Sequence, residues 1–150
     1  MFLWRISNHA TFDGWGGLIA SARWHTEGRP IVYLAESPAG ALVEHLVHLE
    51  LNPVRLPKFY RLLKTEAPDD LSIRTVMAAD LPSNWINDQV ATRTTGDEWL
   101  ASRNGPLLRV PSAILPETFN VLLNPEHADA SRIQILWHVE HPWDTRLLSR

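Results

Sequence analysis

Eleven prolines and seven glycines punctuate this chain of 150 residues, and they constrain its fold more than any other feature. Proline removes a backbone donor and fixes φ, while glycine weakens the interior of helices and strands. Between these breaks lie short apolar runs, which favour many brief elements over long helices. Strands are predicted at Leu3–Ile6, Ile31–Glu36, Phe59–Thr65, Ile73–Val76, Leu107–Val110, Phe119–Leu123, Ile133–Val139 and Trp143–Leu147. In the seventh, Ile133, Ile135, Trp137 and Val139 alternate with their neighbours in the period-2 pattern of a half-buried strand.

Two helices carry start and stop signals. Ser37 is a predicted N-cap, and Pro38 stands at the first helical position, where its missing N–H costs nothing. Ala39, Leu42, Val43, Leu46, Val47 and Glu50 then share one side, with Asn52-Pro53 as the stop. A second helix is expected from the capping-box pattern Thr95-x-x-Glu98 through Trp99 and Leu100, ending at Asn104-Gly105-Pro106. A helical turn is expected at Pro82–Trp85, and a Gly-rich turn at Asp13–Gly17. Strands and helices without regular βαβ alternation give an α+β class. With 45% apolar residues, the expectation is one domain over residues 1–150.

The net charge of −3 argues against a nucleic-acid-binding surface. Among 14 basic residues only Lys58 and Lys64 are lysines; the arginine bias suits anionic partners, and GC-rich codon usage produces the same bias. The absence of cysteine rules out disulfides, thiolate zinc sites and a thiol nucleophile. The start, Met1-Phe2-Leu3-Trp4-Arg5-Ile6, reads as a strand rather than a secretory leader, and no run has membrane-spanning length. A cytoplasmic location with no membrane contact is expected.

The stretch Ala22–Glu44 places a cation (Arg23), a phenol (Tyr33) and a carboxylate (Glu44) on successive pieces of structure. Glu44 lies off the apolar stripe, one turn beyond Gly40, whose cost of roughly 1 kcal/mol in a helix calls for a close neighbour. By spacing alone Glu44 reads first as a solvated helix-face residue and Tyr33 as a core tyrosine, while Arg23 is equally a surface arginine stacked on Trp24. Ser112, after Val110-Pro111, has no G-x-S-x-G elbow and reads as a turn or cap hydroxyl. Asn124-Pro125 reads as turn chemistry. His45-x-x-His48 and His138-x-x-His141 lack H-E-x-x-H character, so no metal site is expected.

In order and spacing these segments resemble the RES-domain family, named for an Arg, a Glu and a Ser. The resemblance runs from Trp4-Arg5-Ile6 to Pro142-Trp143-Asp144-Thr145-Arg146. It is carried by Arg23-Trp24 with Gly28, Val32-Tyr33-Leu34-Ala35 and Ala41-Leu42-Val43-Glu44. Leu81-Pro82-x-x-Trp85, Gly96-Asp97-x-Trp99, Val110-Pro111-Ser112 and Asn124-Pro125-x-His127 complete it. The family usually has Gly-Gly before the Arg-Trp pair; this chain has Ser21-Ala22, and His25 replaces a frequent Asn.

The resemblance implies a split, mixed β core with flanking helices, similar to ADP-ribosyltransferase toxins. It implies an NAD⁺-degrading toxin of a type II toxin–antitoxin pair, with NAD⁺ as substrate, no separate cofactor and an Xre-like DNA-binding antitoxin as partner. A homodimer within the toxin–antitoxin complex is compatible with it. Carried over, Glu44, Arg23 and Tyr33 would be catalytic, and Arg23, Tyr33, Ser112 and Asn124 would bind the dinucleotide. Protein ADP-ribosylation from the same cleft is the alternative enzyme. A module that only binds a partner, through an aromatic patch of Trp4, Trp15, Trp137 and Trp143, is the alternative outside enzymes.

Overall fold

Short elements are what the proline and glycine spacing allows, and a computed structural model, describing residues 1–49 and 56–148, has them. Seven strands, β1 (Phe2–Ile6), β2 (Val32–Ala35), β3 (Phe59–Glu66), β4 (Ile73–Thr75), β5 (Leu107–Pro111), β6 (Phe119–Leu123) and β7 (Gln134–Pro142), form one sheet. Its order is β4-β5-β6-β2-β1-β3-β7, with β4 and β5 parallel and every other neighbour antiparallel. The helices are α1 (Trp15–Ile19), α2 (Pro38–His48), α3 (Gln89–Ser102) and α4 (Thr145–Leu148), giving the expected α+β class.

The sheet is split where β1 meets β2. That junction is registered by a single pair, Trp4 with Ala35, whereas β1–β3 and β2–β6 are paired along their lengths. One continuous cross-strand row nevertheless runs Val110–Asn120–Ala35–Trp4–Lys64–Trp137. Side chains in such a row lie on one face.

Alternation sorts the rest. On one face Leu3, Val32, Leu34, Leu107, Val121 and Leu123 are buried with Ala67, Leu71 and Ile133. On the other, Leu108, Val110 and Leu122 pack with Trp24, Trp85, Trp99 and Leu100. The second cluster anchors α3. Thr92, Thr94, Thr95 and Gly96 cost that helix roughly 3 kcal/mol in propensity. Burial of Trp99 and Leu100 outweighs this, since removing either class of side chain typically costs about 2–5 kcal/mol.

Several sequence expectations are corrected. The helix expected from Thr95 starts six residues earlier, where the Asp88 carboxylate caps Val90 N–H. Thr94 and Thr95 donate instead to the carbonyls of Val90 and Ala91 inside the helix. The strand expected at Trp143–Leu147 is absent: β7 continues to Pro142, and Asp144 accepts from Arg146 N–H to start α4. The Gly-rich turn carries α1, with Gly14 in the left-handed region (φ 69°). A Cβ on Gly17 would lie 2.2 Å from the Arg29 carbonyl, so this glycine serves chain packing.

Ser37 caps α2 through Gly40 N–H, as expected, but the apolar stripe does not face the core. Val43 and Val47 are exposed, and Ala41 is the buried residue. The helix covers the β1–β2 split, so the side it turns inward carries Glu44 and His45. The expected stop at Asn52-Pro53 and the stripe residue Glu50 lie outside the described residues. Nor do the four tryptophans form one exposed patch: Trp143 is buried against Tyr60 and His45.

Candidate active site

Arg23 sits at the tip of a tight turn closed by the Ala22–His25 bridge, and α3 clamps that turn at three consecutive carbonyls. Arg93 Nε donates to Ala22 O (2.8 Å), and Thr92 Oγ1 donates to Arg23 O (2.7 Å). Gly96 packs directly against Trp24 O. The Arg23 guanidinium then donates through one nitrogen to Ile86 O (2.9 Å) and Trp85 O (3.3 Å). Its remaining N–H groups have no hydrogen-bond partner among the described residues, which leaves a fixed cation with free donors.

Tyr33 supplies a wall. Its hydroxyl accepts Trp24 N–H (3.2 Å) and meets His25 Nδ1 at 2.8 Å. His25 Nε2 is 2.9 Å from Ala20 O, and a carbonyl only accepts, so Nε2 carries the proton. Burial lowers the His25 pKa and keeps the ring neutral; Nδ1 therefore accepts from Tyr33. Both capacities of the phenol are thus engaged, and burial pushes its pKa well above the tyrosine range. The ring, rather than the hydroxyl, is what Tyr33 offers to the cavity beside it.

Glu44 comes down from α2 onto the far side. Its Oε1 accepts the Ser112 hydroxyl (2.7 Å) and the Asn120 amide (2.6 Å). Oε2 receives no hydrogen bond among the described residues. Ser112 is buried, and its oxygen also accepts from Ile114 N–H (3.1 Å) and Leu115 N–H (3.3 Å). Two N–H donors on that oxygen leave its single proton for Glu44 and occupy the lone pairs a nucleophile would use.

Arg23, Tyr33, Glu44 and Asn120 border a cleft of about 650 Å³ between α2 and α3, floored by the sheet at its split. That size lies within the range for small-molecule sites. Among the described residues Arg5, Arg23 and Arg93 line it with Glu44, so cations there outnumber carboxylates three to one. Burial lowers the Arg5 guanidinium below its usual range and Asp13 partly offsets this; a guanidinium still carries its charge at neutral pH. His45 and His48 form the rim shared with a smaller hollow of about 280 Å³; burial, with His48 adding to it, lowers the His45 pKa. A pocket of arginines with one anchored carboxylate suits an anionic ligand that develops positive charge as it reacts.

The sequence profile described as the RES domain matches residues 2–144. The chain belongs to the RES-domain family. This RES domain is 48% identical over 140 residues to a Pseudomonas putida protein named Toxin Res, with 90% of this chain and 93% of that protein covered. It is 34% identical over 158 residues to the Prs ADP-ribosylating toxin of a Sphingobium species, covering 98% and 96%. Among solved structures it is similar to the M. tuberculosis MbcT–MbcA toxin–antitoxin complex, with a TM-score of 0.76 and 17% identity, covering 94% of this chain and 84% of that one. That likeness shows the fold.

Of the residues singled out from sequence, Arg23, Tyr33 and Glu44 line the same cleft, and Ser112 stands behind Glu44. Asn124 does not join them. It is buried where β6 ends, accepting Glu126 N–H and bonding to the Pro106 carbonyl through its backbone N–H, a turn role. The asparagine at the cleft is Asn120, four residues earlier and about 13 Å along the strand. Arg5, Arg93 and Asn120 were not singled out. Asn120 had a legible signal: it interrupts the apolar series of β6 on the face it shares with buried Leu122. Arg93 precedes the capping-box pattern at Thr95, which in the sequence marks the helix start, whereas α3 begins at Gln89. No helix among the described residues is long and apolar enough to cross a membrane.

Proposed function

We propose that this RES domain is the toxin of a toxin–antitoxin pair and that it destroys NAD⁺ by cleaving the nicotinamide–ribose bond. The observation that carries this reading is the Glu44 carboxylate, held through one oxygen by Ser112 and Asn120 beside a cleft lined by Arg5, Arg23 and Arg93. NAD⁺ matches that charge pattern. Its pyrophosphate offers anionic oxygens to guanidinium donors. Its ribose acquires positive charge as cationic nicotinamide departs, as in glycoside hydrolysis.

In the reaction, the bond between ribose C1′ and the ring nitrogen breaks, and its electron pair neutralises the nicotinamide. Glu44 stabilises the oxocarbenium-like centre electrostatically. Arg23 holds the pyrophosphate, and the Tyr33 ring packs against the reacting end and limits water. Water then attacks that ribose carbon, which is C1″ of the product, and loses a proton to bulk solvent, giving ADP-ribose; inorganic phosphate in its place gives the 1″-phosphate. Ser112 has no nucleophilic part.

An antitoxin partner is supported by the solved complex of the MbcT fold neighbour with MbcA, and an Xre-like DNA-binding protein is the expected kind. Protein ADP-ribosylation is the second reading, favoured by the Sphingobium relative's name at 34% identity. Incubating the purified protein with NAD⁺, with and without phosphate, and resolving products by mass spectrometry separates these. Free ADP-ribose or its 1″-phosphate supports the first reading; ADP-ribosyl adducts on extract proteins support the second; intact NAD⁺ and unmodified extract overturn both. Expression of the chain alone should slow growth, and co-expression of the neighbouring reading frame should relieve it.

A further inference from the structure

Asn120 is a polar side chain on a strand face otherwise given to core. Its row neighbours are Val110 and Ala35, and Leu122 is buried on the same face. Its amide nitrogen donates to Glu44 Oε1 at 2.6 Å, on the oxygen that also receives the Ser112 hydroxyl. A carboxylate only accepts, so the amide must present its NH₂ group to it. Both donors come from strands of the sheet and its immediate extension, whereas Glu44 belongs to α2 lying above. The pair therefore pins the helix-borne carboxylate to the sheet and polarises it. Oε1 is held, and Oε2 is the oxygen left for ligand.

We propose that Asn120 is the positioning residue for Glu44, its amide acting with the Ser112 hydroxyl to leave Oε2 as the oxygen that meets the developing ribosyl charge. This rests on the reading of Glu44 as the charge-stabilising carboxylate. Among the described residues, the other charged or titratable groups bordering the cleft are Arg5 of β1, Arg23, Tyr33 of β2, His45 and His48 of α2, and Arg93 of α3. None of them donates to Glu44 among the described residues. Asn120 differs from Ser112 in that it lines the cleft while Ser112 lies behind it.

The test uses Asn120→Asp and Asn120→Ala, with thermal melts to show that each folds. Aspartate keeps the shape and replaces the donor by a second carboxylate against Oε1, so the two groups compete for one proton. The acid limb of the nicotinamide-release profile should then move up by about one pH unit or more, with kcat near neutrality reduced roughly tenfold or more and KM changed by less than about threefold. Asn120→Ala should lower kcat in the same pattern, with a smaller shift of the limb. If wild type releases no nicotinamide, the functional reading fails, and the Asn120–Glu44 coupling is read independently. In protein carrying ¹³C-labelled glutamate, the Glu44 carboxyl signal, assigned by its loss in Glu44→Gln, should titrate at higher pH in Asn120→Asp than in wild type. An unmoved midpoint, or a pH profile and kcat identical to wild type in both variants, overturns the proposal. Should Asn120→Asp not fold, Asn120→Ala decides by the same two readouts.

Discussion

Gly96 of α3 lies so close to Trp24 that a Cβ at position 96 would come within 1.7 Å of the Trp24 carbonyl oxygen. The contact fixes the height of α3 over the turn that presents Arg23, one residue before Trp24. On helix propensity alone Gly96→Ala would stabilise by about 1 kcal/mol. The clash is with backbone and has no flexible side chain to yield, so overpacking wins, at about 1–3 kcal/mol net destabilisation. Urea denaturation should show a lower midpoint. The displaced turn should also weaken NAD⁺ binding more than Gly16→Ala, where added bulk meets nothing within 4 Å. A more stable Gly96→Ala protein would contradict this packing.

Ser112→Ala removes one of the two donors on Glu44 and strands the N–H groups of Ile114 and Leu115. The expected loss of stability is about 1–3 kcal/mol, read from chemical denaturation. Turnover should fall by roughly tenfold and stay well above that of Glu44→Gln, because Asn120 still holds Oε1. Loss to the level of Glu44→Gln, or a covalent adduct on Ser112 by mass spectrometry, would contradict its positioning role.

Stability should decline on mild acidification. His25 is buried and neutral, with its pKa lowered from 6.5 chiefly by burial. The unfolded chain therefore takes up the proton first. Its contribution is fully present above about pH 6.5 and is lost as pH falls toward the depressed folded value. His45 is lowered too and adds in the same direction. Thermal melts from pH 7.5 down to about 5 should show a falling Tm, with a shallower slope in His25→Gln. A wild-type Tm flat across that window would contradict a His25 kept neutral by burial.

Binding and turnover should separate between the arginines and Glu44. Arg23→Ala removes charge-assisted donors worth about 1.5–3 kcal/mol each, a weakening of roughly 10- to 150-fold in NAD⁺ affinity by calorimetry. Arg93→Ala should also weaken binding, and it should destabilise, because Nε supports the Ala22 carbonyl. Unchanged affinity in Arg23→Ala would remove it from the pyrophosphate.

Much of the sheet was legible because strand signals are local. β1 to β6 fall within one or two residues of the apolar runs, and the Ser37 cap and Pro38 set the start of α2. What failed depended on tertiary contacts. The threonines and Gly96 of α3 look unsuited to a helix until Thr92 is seen bonding the Arg23 carbonyl and Gly96 admitting the Trp24 backbone. The exposed Val43 and Val47 misdirected the reading of α2, whose inner side faces a polar cleft rather than core. At the site, Arg23, Tyr33 and Glu44 stood out through their motifs. Arg5 did not, because a lone polar residue in a short strand carries meaning only when its cross-strand row is known, and Asn120 showed only as a break in the apolar series of β6. Asn124 misled for the converse reason: its motif is a turn motif, and the turn is what it builds.

The most direct measurement is nicotinamide release from NAD⁺ by wild type and by Glu44→Gln, alongside the NAD⁺ affinity of each. Glutamine keeps the size of the side chain and removes its charge. The expected result is release by wild type, a fall of at least about a hundredfold in Glu44→Gln, and an affinity within a few-fold of wild type. Equal release by the two proteins, or none by wild type, would contradict the account.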